Sequence, residues 1–277
     1  MRKLITIGAL ALAGWTAFAW MNPPPDGVRF FDVGQGDAAL VSSGRTQLLI
    51  DGGPDRAVLA SLGQAMPPLD RRIEFVVLTH PHADHYRGLI EVVKRYRVGT
   101  LIVGAPGKEA EYRDFVAEAG RRGTKVVRAA GQRVSLGPAL RAEVMDPLEP
   151  LPDRAVSDPN NASVVLMVTA GVSKILMTGD AGFEQERRLV ADGRALDADV
   201  LKIGHHGSRT SSGVPFLQAV TPRDAVVSSG EGNKYGHPTA AALARLTGAG
   251  VAVYRTDRRG TVIVTFERSG YRLRTER

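Results

Sequence analysis

Short runs of apolar residues alternate with amphipathic stretches along most of the chain. Runs rich in β-branched and apolar residues predict strands, which we place at residues 28–33, 47–51, 74–79, 100–103, 163–169, 174–178, 198–203, 224–228, 251–255 and 261–266. Apolar positions at helical spacing predict helices at residues 56–66, 86–96, 109–120, 184–191 and 238–246. This alternation predicts an α/β protein in which helices cover the sheets.

The N-terminus follows a different pattern. A positively charged start precedes an apolar run, and Ala17 and Ala19 form an A-x-A pattern at its end, which predicts a signal peptide over residues 1–19. The run is short for a membrane span, which needs about 20 apolar residues, so an uncleaved anchor over residues 4–21 is the alternative interpretation. Both interpretations predict an exported domain, periplasmic or extracellular, and the anchor would attach it to the membrane.

The rest of the chain predicts one domain. Three consecutive prolines mark residues 20–27 as a linker, and residues 28–277 form the folded part. The whole chain has 277 residues, of which 43% are hydrophobic and 23% charged, and this composition suits one large globular domain.

The chain is basic and contains no cysteine. It has 36 Lys and Arg against 29 Asp and Glu, a net charge of +7, which attracts polyanions such as nucleic acid or an anionic membrane but also fits an ordinary soluble protein. Without cysteine, disulfides and thiolate ligands are excluded. Any metal must therefore be held by histidine and carboxylate.

One strand end carries most of the candidate chemistry. The predicted strand at residues 74–79 runs directly into potential metal ligands, namely His80, His82, Asp84 and His85. Side chains two residues apart in extended backbone point the same way, so His80 and His82 can bind one ion while Asp84 and His85 reach a second.

Two later strand ends repeat this pattern. The strand at 174–178 ends at Asp180, and the strand at 198–203 ends at His205 and His206. All six histidines of the chain lie in these clusters or at His237. Because apolar strands that end in ligands converge at one sheet edge, the pattern predicts a metal site.

The ordered motifs resemble a known family. T-H-P-H-A-D-H from Thr79, then T-G-D and L-K-I-G-H-H-G-S, resemble the metallo-β-lactamase superfamily. Within it, the chain resembles one branch, the extracytoplasmic hydrolase domain of ComEC-type competence DNA-uptake proteins, through D-V-G-Q-G-D-A, L-I-D-G-G, N-N-A-S-V-V-L, Y-G-H-P and T-D-R-R-G. The resemblance implies an αββα sandwich, in which two mixed β-sheets are flanked by helices.

The resemblance also implies roles for residues. Two divalent metal ions, zinc or manganese, would be held by His80 and His82 on one side and by Asp84 and His85 on the other, with Asp180 bridging. One of His205 and His206 would complete the second site, and the sequence leaves both open. Asp51 would hold the ligands by hydrogen bonds without binding metal itself.

The sequence departs from the superfamily between His85 and Asp180, where many members supply a further histidine and this chain has none. Asn160, Asn161 or Asp158 would fill or neighbour that position. The choice between zinc and manganese stays open, although oxygen ligands favour manganese.

Substrate would be positioned by loops around the metals. Two divalent ions about 3.5–4 Å apart activate a shared water and clamp a phosphodiester, which gives Asp84 and Asp180 catalytic roles. Ser208, Ser211 and Asn161 are candidate substrate contacts, with a solvated turn as the alternative for the serines. His237 would contact phosphate or protonate the leaving oxygen, with helix capping as the alternative. We assign no catalysis to Asp32 and Asp37, which shape a turn beside the site.

Three functions remain open at this point. The first is an exported nuclease or phosphodiesterase that acts on extracellular DNA in DNA uptake. The second is a metallo-hydrolase of a small ester, such as a phosphocholine diester, a lactone or a β-lactam. The third is a DNA-binding module without catalysis. Fold alone does not choose among them, and the sequence names no protein partner.

Overall fold

The computed structural model describes residues 21–152 and 156–277, together with Gly14 and Phe18. The signal peptide or anchor expected at the N-terminus therefore lies almost entirely outside the described residues. Within the described part of the chain, no helix is both long enough and apolar enough to cross a bilayer.

The described strands form two mixed sheets. They are β1 (Gly27–Phe30), β2 (Ala39–Ser43), β3 (Thr46–Ile50), β4 (Arg72–Leu78), β5 (Arg97–Val103), β6 (Lys125–Arg128), β7 (Arg133–Ser135), β8 (Leu140–Asp146), β9 (Val165–Ala170), β10 (Ser173–Met177), β11 (Val200–Lys202), β12 (Asp224–Val227), β13 (Ala252–Arg255), β14 (Val262–Glu267) and β15 (Gly270–Thr275). The first sheet has the order β15-β14-β1-β2-β3-β4-β5-β6, and the second has the order β13-β12-β11-β10-β9-β8-β7.

Helices cover the outer face of each sheet. They are α1 (Ala57–Ala65), α2 (Ala83–Arg95), α3 (Ala110–Arg121), α4 (Phe183–Ala191), α5 (Val214–Val220), α6 (Ala240–Gly248) and the single turn α7 (Thr256–Arg259). The first three pack on the first sheet, whereas α4, α5 and α6 pack on the second. The α/β sandwich with two mixed sheets flanked by helices is thus confirmed.

Strand alternation builds the layers. In β3, Leu48 and Ile50 face the core between the sheets, and Leu49 faces the helices. In β10, Ile175 faces the inner core while Leu176 faces the outer one. Both sheets are thus apolar on each face, as expected for strands covered from two sides.

Strand direction positions the site. β3, β4, β5 and β6 are parallel in the first sheet, and β10, β11, β12 and β13 are parallel in the second. The segments that follow β3, β4, β10, β11 and β12 meet at one edge of the sandwich. The expected helix at 86–96 begins three residues earlier, at Ala83, which places Asp84 and His85 in its first turn.

Candidate metal centre

Imidazoles from both sheets surround the carboxylate of Asp180. Its Oδ2 lies 3.4 Å from His85 Nε2 and 3.7 Å from His80 Nε2, both of which follow β4. It also lies 3.5 Å from His206 Nε2, on the segment that follows β11. These side chains are fully or almost fully buried, so the two sheets share one buried cluster.

Asp84 belongs to the same cluster. Its Oδ2 lies 3.3 Å from His206 Nε2 and 4.0 Å from His85 Nε2. His85, His206 and Asp84 therefore form one candidate cation site, and His80, His85 and Asp180 form a second that shares His85.

The structure separates the two adjacent histidines. The His206 ring is buried beside Asp84 and Asp180, whereas the His205 ring is partly exposed, with its Nε2 3.9 Å from Asp180. Both residues have positive φ, +49° and +53°. His206 is therefore placed to complete the site with Asp84 and His85, and His205 stands at its rim.

His82 lies beside His80, at the open side of the cluster. Its Nδ1 is 3.1 Å from His80 Nε2. Two nitrogens that bind one tetrahedral ion with bonds of about 2.0–2.1 Å lie at a similar separation, so this spacing suits a shared ion.

Hydrogen bonds on the far side of each ring set its orientation. His85 Nδ1 donates to Asp51 Oδ2 (2.8 Å), and His206 Nδ1 donates to the carbonyl of Ser228 (3.0 Å). His80 Nδ1 is 3.0 Å from Thr79 Oγ1, which itself donates to Asp51 (2.8 Å). With the ring proton on Nδ1, the Nε2 lone pair of each histidine faces Asp180.

Unpaired polar atoms show that the cluster fits a cation. His85 Nε2, His206 Nε2 and Asp180 Oδ1 are buried and have no hydrogen-bond partner. Leaving such atoms unsatisfied is costly, and imidazole nitrogen with carboxylate oxygen is a donor set suited to zinc or manganese.

The electrostatics of the cluster also favour a cation. Burial disfavours a charged His206, yet the carboxylates of Asp180 and Asp37 outweigh that penalty and raise the pKa of His206 to about 10. Burial likewise opposes the charged form of His85, but Asp180 and Asp51 raise the pKa of His85 well above its ordinary value. The carboxylates thus create a potential that attracts positive charge.

Asp51 lies behind the cluster, in contact with His85 and Thr79. Its Oδ1 accepts the Thr79 backbone N–H (2.8 Å), and its Oδ2 accepts from Thr79 Oγ1 and His85 Nδ1. Asp51 follows β3 and Thr79 follows β4, which are neighbouring strands. A single carboxylate therefore joins two strand ends and orients one candidate ligand.

A buried ion pair beneath the cluster was missed by the sequence analysis. Lys202 Nζ contacts Asp37 Oδ2, and Asp37 Oδ1 lies 3.2 Å from His206 Nδ1. Burial favours a protonated Asp37, but Lys202 and His206 outweigh it and lower the pKa of Asp37. A lysine within the apolar run of β11 was the available signal.

The residues expected to contact substrate lie in different surroundings. Ser211 is buried, and its hydroxyl donates to the carbonyls of Gly204 (2.7 Å) and Ser208 (3.1 Å), so it braces the histidine segment. Ser208 is also buried, with its Oγ 3.1 Å from Thr210 Oγ1. His237 lies at the cluster, with its ring centroid 6.4 Å from that of His206.

Asn160 and Asn161 differ in whether their side-chain oxygens already accept hydrogen bonds. Asn161 Oδ1 accepts backbone N–H groups of Gly182 (3.2 Å) and Gln185 (3.3 Å), and its Nδ2 donates to Asp158 (2.6 Å). Asn160 Oδ1 is buried without a partner. Of the three residues expected near the missing histidine position, Asn160 retains an unused buried oxygen.

The loop after His206 is held from two helices. Glu186 on α4 accepts the backbone N–H groups of Ser212 and Gly213. Arg245 on α6 donates to the carbonyls of Ser211 (2.6 Å) and Ser212 (3.0 Å). The N–H groups and the carbonyls of this loop backbone are therefore satisfied by the side chains of Glu186 and Arg245.

Comparisons with known proteins agree with this architecture. The family model for the metallo-beta-lactamase superfamily matches residues 31–231. The structure of the metallo-beta-lactamase fold protein YhfI from Bacillus subtilis superimposes with a TM-score of 0.55 at 14% identity, covering 83% of this chain and 96% of that one. At that identity the likeness shows the fold alone.

Curated relatives are more similar in sequence. Competence protein ComA of Neisseria gonorrhoeae is 34% identical over 268 residues, which cover 94% of this chain and 36% of that protein. ComE operon protein 3 of Bacillus subtilis is 31% identical over 261 residues, which cover 85% of this chain and 32% of that protein. The chain thus spans about a third of the length of these relatives.

Proposed function

The chain belongs to the metallo-β-lactamase superfamily, and from that premise we propose that it is a binuclear metal-dependent hydrolase that cleaves phosphodiester bonds of DNA. Members of this superfamily are usually metal-dependent hydrolases. The observation that carries the proposal is the buried cluster in which Nε2 atoms of His80, His85 and His206 face the Asp180 carboxylate.

The residues have distinct roles in this proposal. His80, His82 and Asp180 would hold one ion, and Asp84, His85 and His206 would hold the other with Asp180 between them. Ions bound there would supply Lewis acidity that activates water and offsets the charge of a phosphate. Asn160, whose buried Oδ1 has no hydrogen-bond partner, would be a candidate for a further oxygen ligand. The rings of His205 and His237 line the rim where substrate would enter.

Two observations support DNA as the substrate. The relative from Neisseria gonorrhoeae is named a competence protein, and the chain carries a net charge of +7. A basic protein gains affinity for the phosphate backbone by releasing counterions. We include in the proposal that the domain acts outside the cytoplasm, in DNA uptake, on the basis of its N-terminal sequence pattern and this relative.

The test is a nuclease assay with added Mn²⁺ or Zn²⁺, on single- and double-stranded DNA. We expect metal-dependent cleavage by the purified chain. In Asp84→Ala and Asp180→Ala the cleavage rate should fall by at least roughly 10- to 100-fold, which is the loss caused by removing a hydrogen-bond partner of a metal ligand. Asp197→Ala is the matched control, because this exposed carboxylate lies at the opposite end of β11. Chelator-insensitive cleavage would contradict metal dependence.

The same assay separates the small-ester alternative. Turnover of bis-p-nitrophenyl phosphate without any cleavage of DNA would move the proposal to a small diester. Tight DNA binding without turnover of either substrate would indicate the module without catalysis.

A further inference from the structure

An exposed aromatic side chain stands at the rim of the metal centre. Tyr235 is 57% exposed and lies on the loop that follows β12, two residues before His237. Its ring stacks on His237, with ring centroids 5.9 Å apart and an interplanar angle of 25°. The rings of His206, His237 and Tyr235 therefore form a row that leads from the cluster to solvent.

Hydrogen bonds hold the backbone of this loop in a defined conformation. Asn233 Oδ1 accepts the backbone N–H groups of Tyr235 (3.2 Å) and His237 (3.0 Å). Asn233 Nδ2 donates to the carbonyl of Gly230 (2.9 Å), and the Gly230 N–H donates to Gln35 Oε1 (3.1 Å). An aromatic side chain on a braced loop loses little conformational freedom when it binds a ligand.

Positive charge accompanies the exposed ring. Lys234 Nζ lies 5.1 Å from the Tyr235 ring centroid, and the Lys234 side chain is exposed. An aromatic ring beside a cation is the combination that proteins use to bind single-stranded nucleic acid, because the ring stacks on a base and the cation meets the backbone.

We propose that Tyr235 is a stacking platform for an unpaired nucleobase, which positions the adjoining phosphodiester at the metal centre and selects single strands or frayed ends. The proposal rests on the proposed nuclease function and adds the form of DNA that the site accepts. In a duplex both faces of an internal base are covered by its neighbours, so stacking on Tyr235 requires a base that has left the helix.

The test compares a single-stranded oligonucleotide with one in which tetrahydrofuran units replace every nucleoside. Stacking of a base on an aromatic side chain changes binding by roughly 5- to 100-fold, so kcat/KM should favour the base-bearing oligonucleotide by a factor in that range. In Tyr235→Ala this ratio should fall towards one, and in Tyr235→Phe it should persist.

Val172→Ala is the control for loss of an exposed apolar side chain. Val172 is 69% exposed and lies in the turn between β9 and β10, at the end of the sheet away from the cluster. Both the ratio and the rate should be unchanged in this variant. A ratio near one in the wild type, or an undiminished ratio in Tyr235→Ala, would overturn the platform while leaving the nuclease intact.

Direct binding keeps the two proposals separable. If the wild type cleaves neither oligonucleotide, the nuclease proposal fails, and titration with a single-stranded 2-aminopurine oligonucleotide then decides about Tyr235. Fluorescence quenching that is present in the wild type and lost in Tyr235→Ala supports the platform. Equal quenching in both proteins, or none in either, refutes it.

Discussion

Ring orientation at the cluster depends on a few atoms outside it. The acceptor at Nδ1 fixes which nitrogen of each imidazole carries the proton, and Asp51 is that acceptor for His85. A histidine ligand that loses the hydrogen-bond acceptor at its Nδ1 can take the other tautomer, in which the N–H of Nε2 faces the ion.

Asp51→Asn tests this dependence. The amide would present N–H groups where Oδ2 now accepts the hydrogen bond from His85 Nδ1. His85 would then take the tautomer that carries its proton on Nε2, which faces the cluster. We expect metal affinity to fall by about 10- to 100-fold, measured by competition with a chromogenic chelator. Asp55→Asn is the control, because this exposed carboxylate accepts the N–H of Ala57 at the start of α1 (2.8 Å), a role that asparagine retains. Equal affinity in wild type and Asp51→Asn would refute the orienting role.

A second residue-scale effect concerns Glu186. Burial raises the pKa of Glu186 to about 7, although the N–H groups of Gly213 and Ser212 oppose the shift. A carboxyl whose pKa rises on folding binds more protons in the folded state, so its contribution to stability is lost as pH rises from about 4.5 to about 7.

Glu186→Gln removes this titration. The free energy of unfolding of the wild type, measured with chelator present, should decline more steeply over that pH window than that of the variant. Glu184→Gln is the control on the same helix, since Glu184 is exposed. Parallel pH curves for wild type and Glu186→Gln would contradict the shift.

At the scale of elements, α2 packs unusually close to the segment after β3. A Cβ at Gly88 would lie 1.8 Å from the Gly52 carbonyl oxygen and 2.6 Å from that of Asp55. The Gly52 N–H also donates to the His85 carbonyl (2.7 Å). Close approach of helix and strand end thus brings Asp51 to His85.

Gly88→Ala should force α2 outward. We expect a loss of at least the roughly 1–3 kcal/mol that overpacking costs, together with weaker metal binding, measured by denaturant unfolding and metal content. Gly63→Ala is the matched control on α1, where a Cβ meets open space and the change should stabilise by about 0.5–1 kcal/mol. Normal metal binding by a folded Gly88→Ala protein would contradict the packing argument.

Most buried strands and the long helices were predictable, because their apolar patterns are strong. Five strands were missed. β6, β7 and β15 each lie at the edge of a sheet, where less apolar surface is buried and the pattern weakens. β2 and β8 lie inside their sheets, but buried serines in β2 and charged residues in β8 interrupt their apolar runs. α5 was missed as well, since its seven residues are too few to establish a period.

The spacing of residues in the sequence predicted the members of the cluster better than it predicted the residues that contact them. His80, His82, Asp84, His85 and Asp180 all lie at the predicted strand ends, because the chain direction determines that edge. The sequence did not show which of His205 and His206 enters the cluster. Both residues have positive φ, so the side-chain directions of an ordinary strand do not apply to them. The Asp37–Lys202 pair depends on contacts across the fold that no local pattern encodes.

At the scale of the whole molecule, the cluster joins the two sheets. His80 and His85 come from the first sheet, and Asp180 and His206 come from the second. An ion bound by both would oppose their separation, and a ligand that binds only the folded state stabilises it by mass action.

Metal removal should therefore lower the melting temperature. At a free metal concentration of 100 Kd the stabilisation is about 2.7 kcal/mol, and each kcal/mol shifts the midpoint by roughly 2–4 °C in a domain of this size. Scanning calorimetry with chelator and with added Mn²⁺ or Zn²⁺ measures the difference. Asp180→Ala should show almost no shift, and an unshifted wild type would refute cation binding.

Ligands drawn from both halves of the chain also impose an order in time. During synthesis His80 to His85 emerge well before Asp180 and His206, and the early group alone lacks the Asp180 carboxylate that the Nε2 atoms of His80 and His85 face. Capture of the cation must follow docking of the second sheet on the first. The ion that the cluster would bind is then chosen by the metal supply of the place where folding is completed, as much as by the candidate ligands themselves.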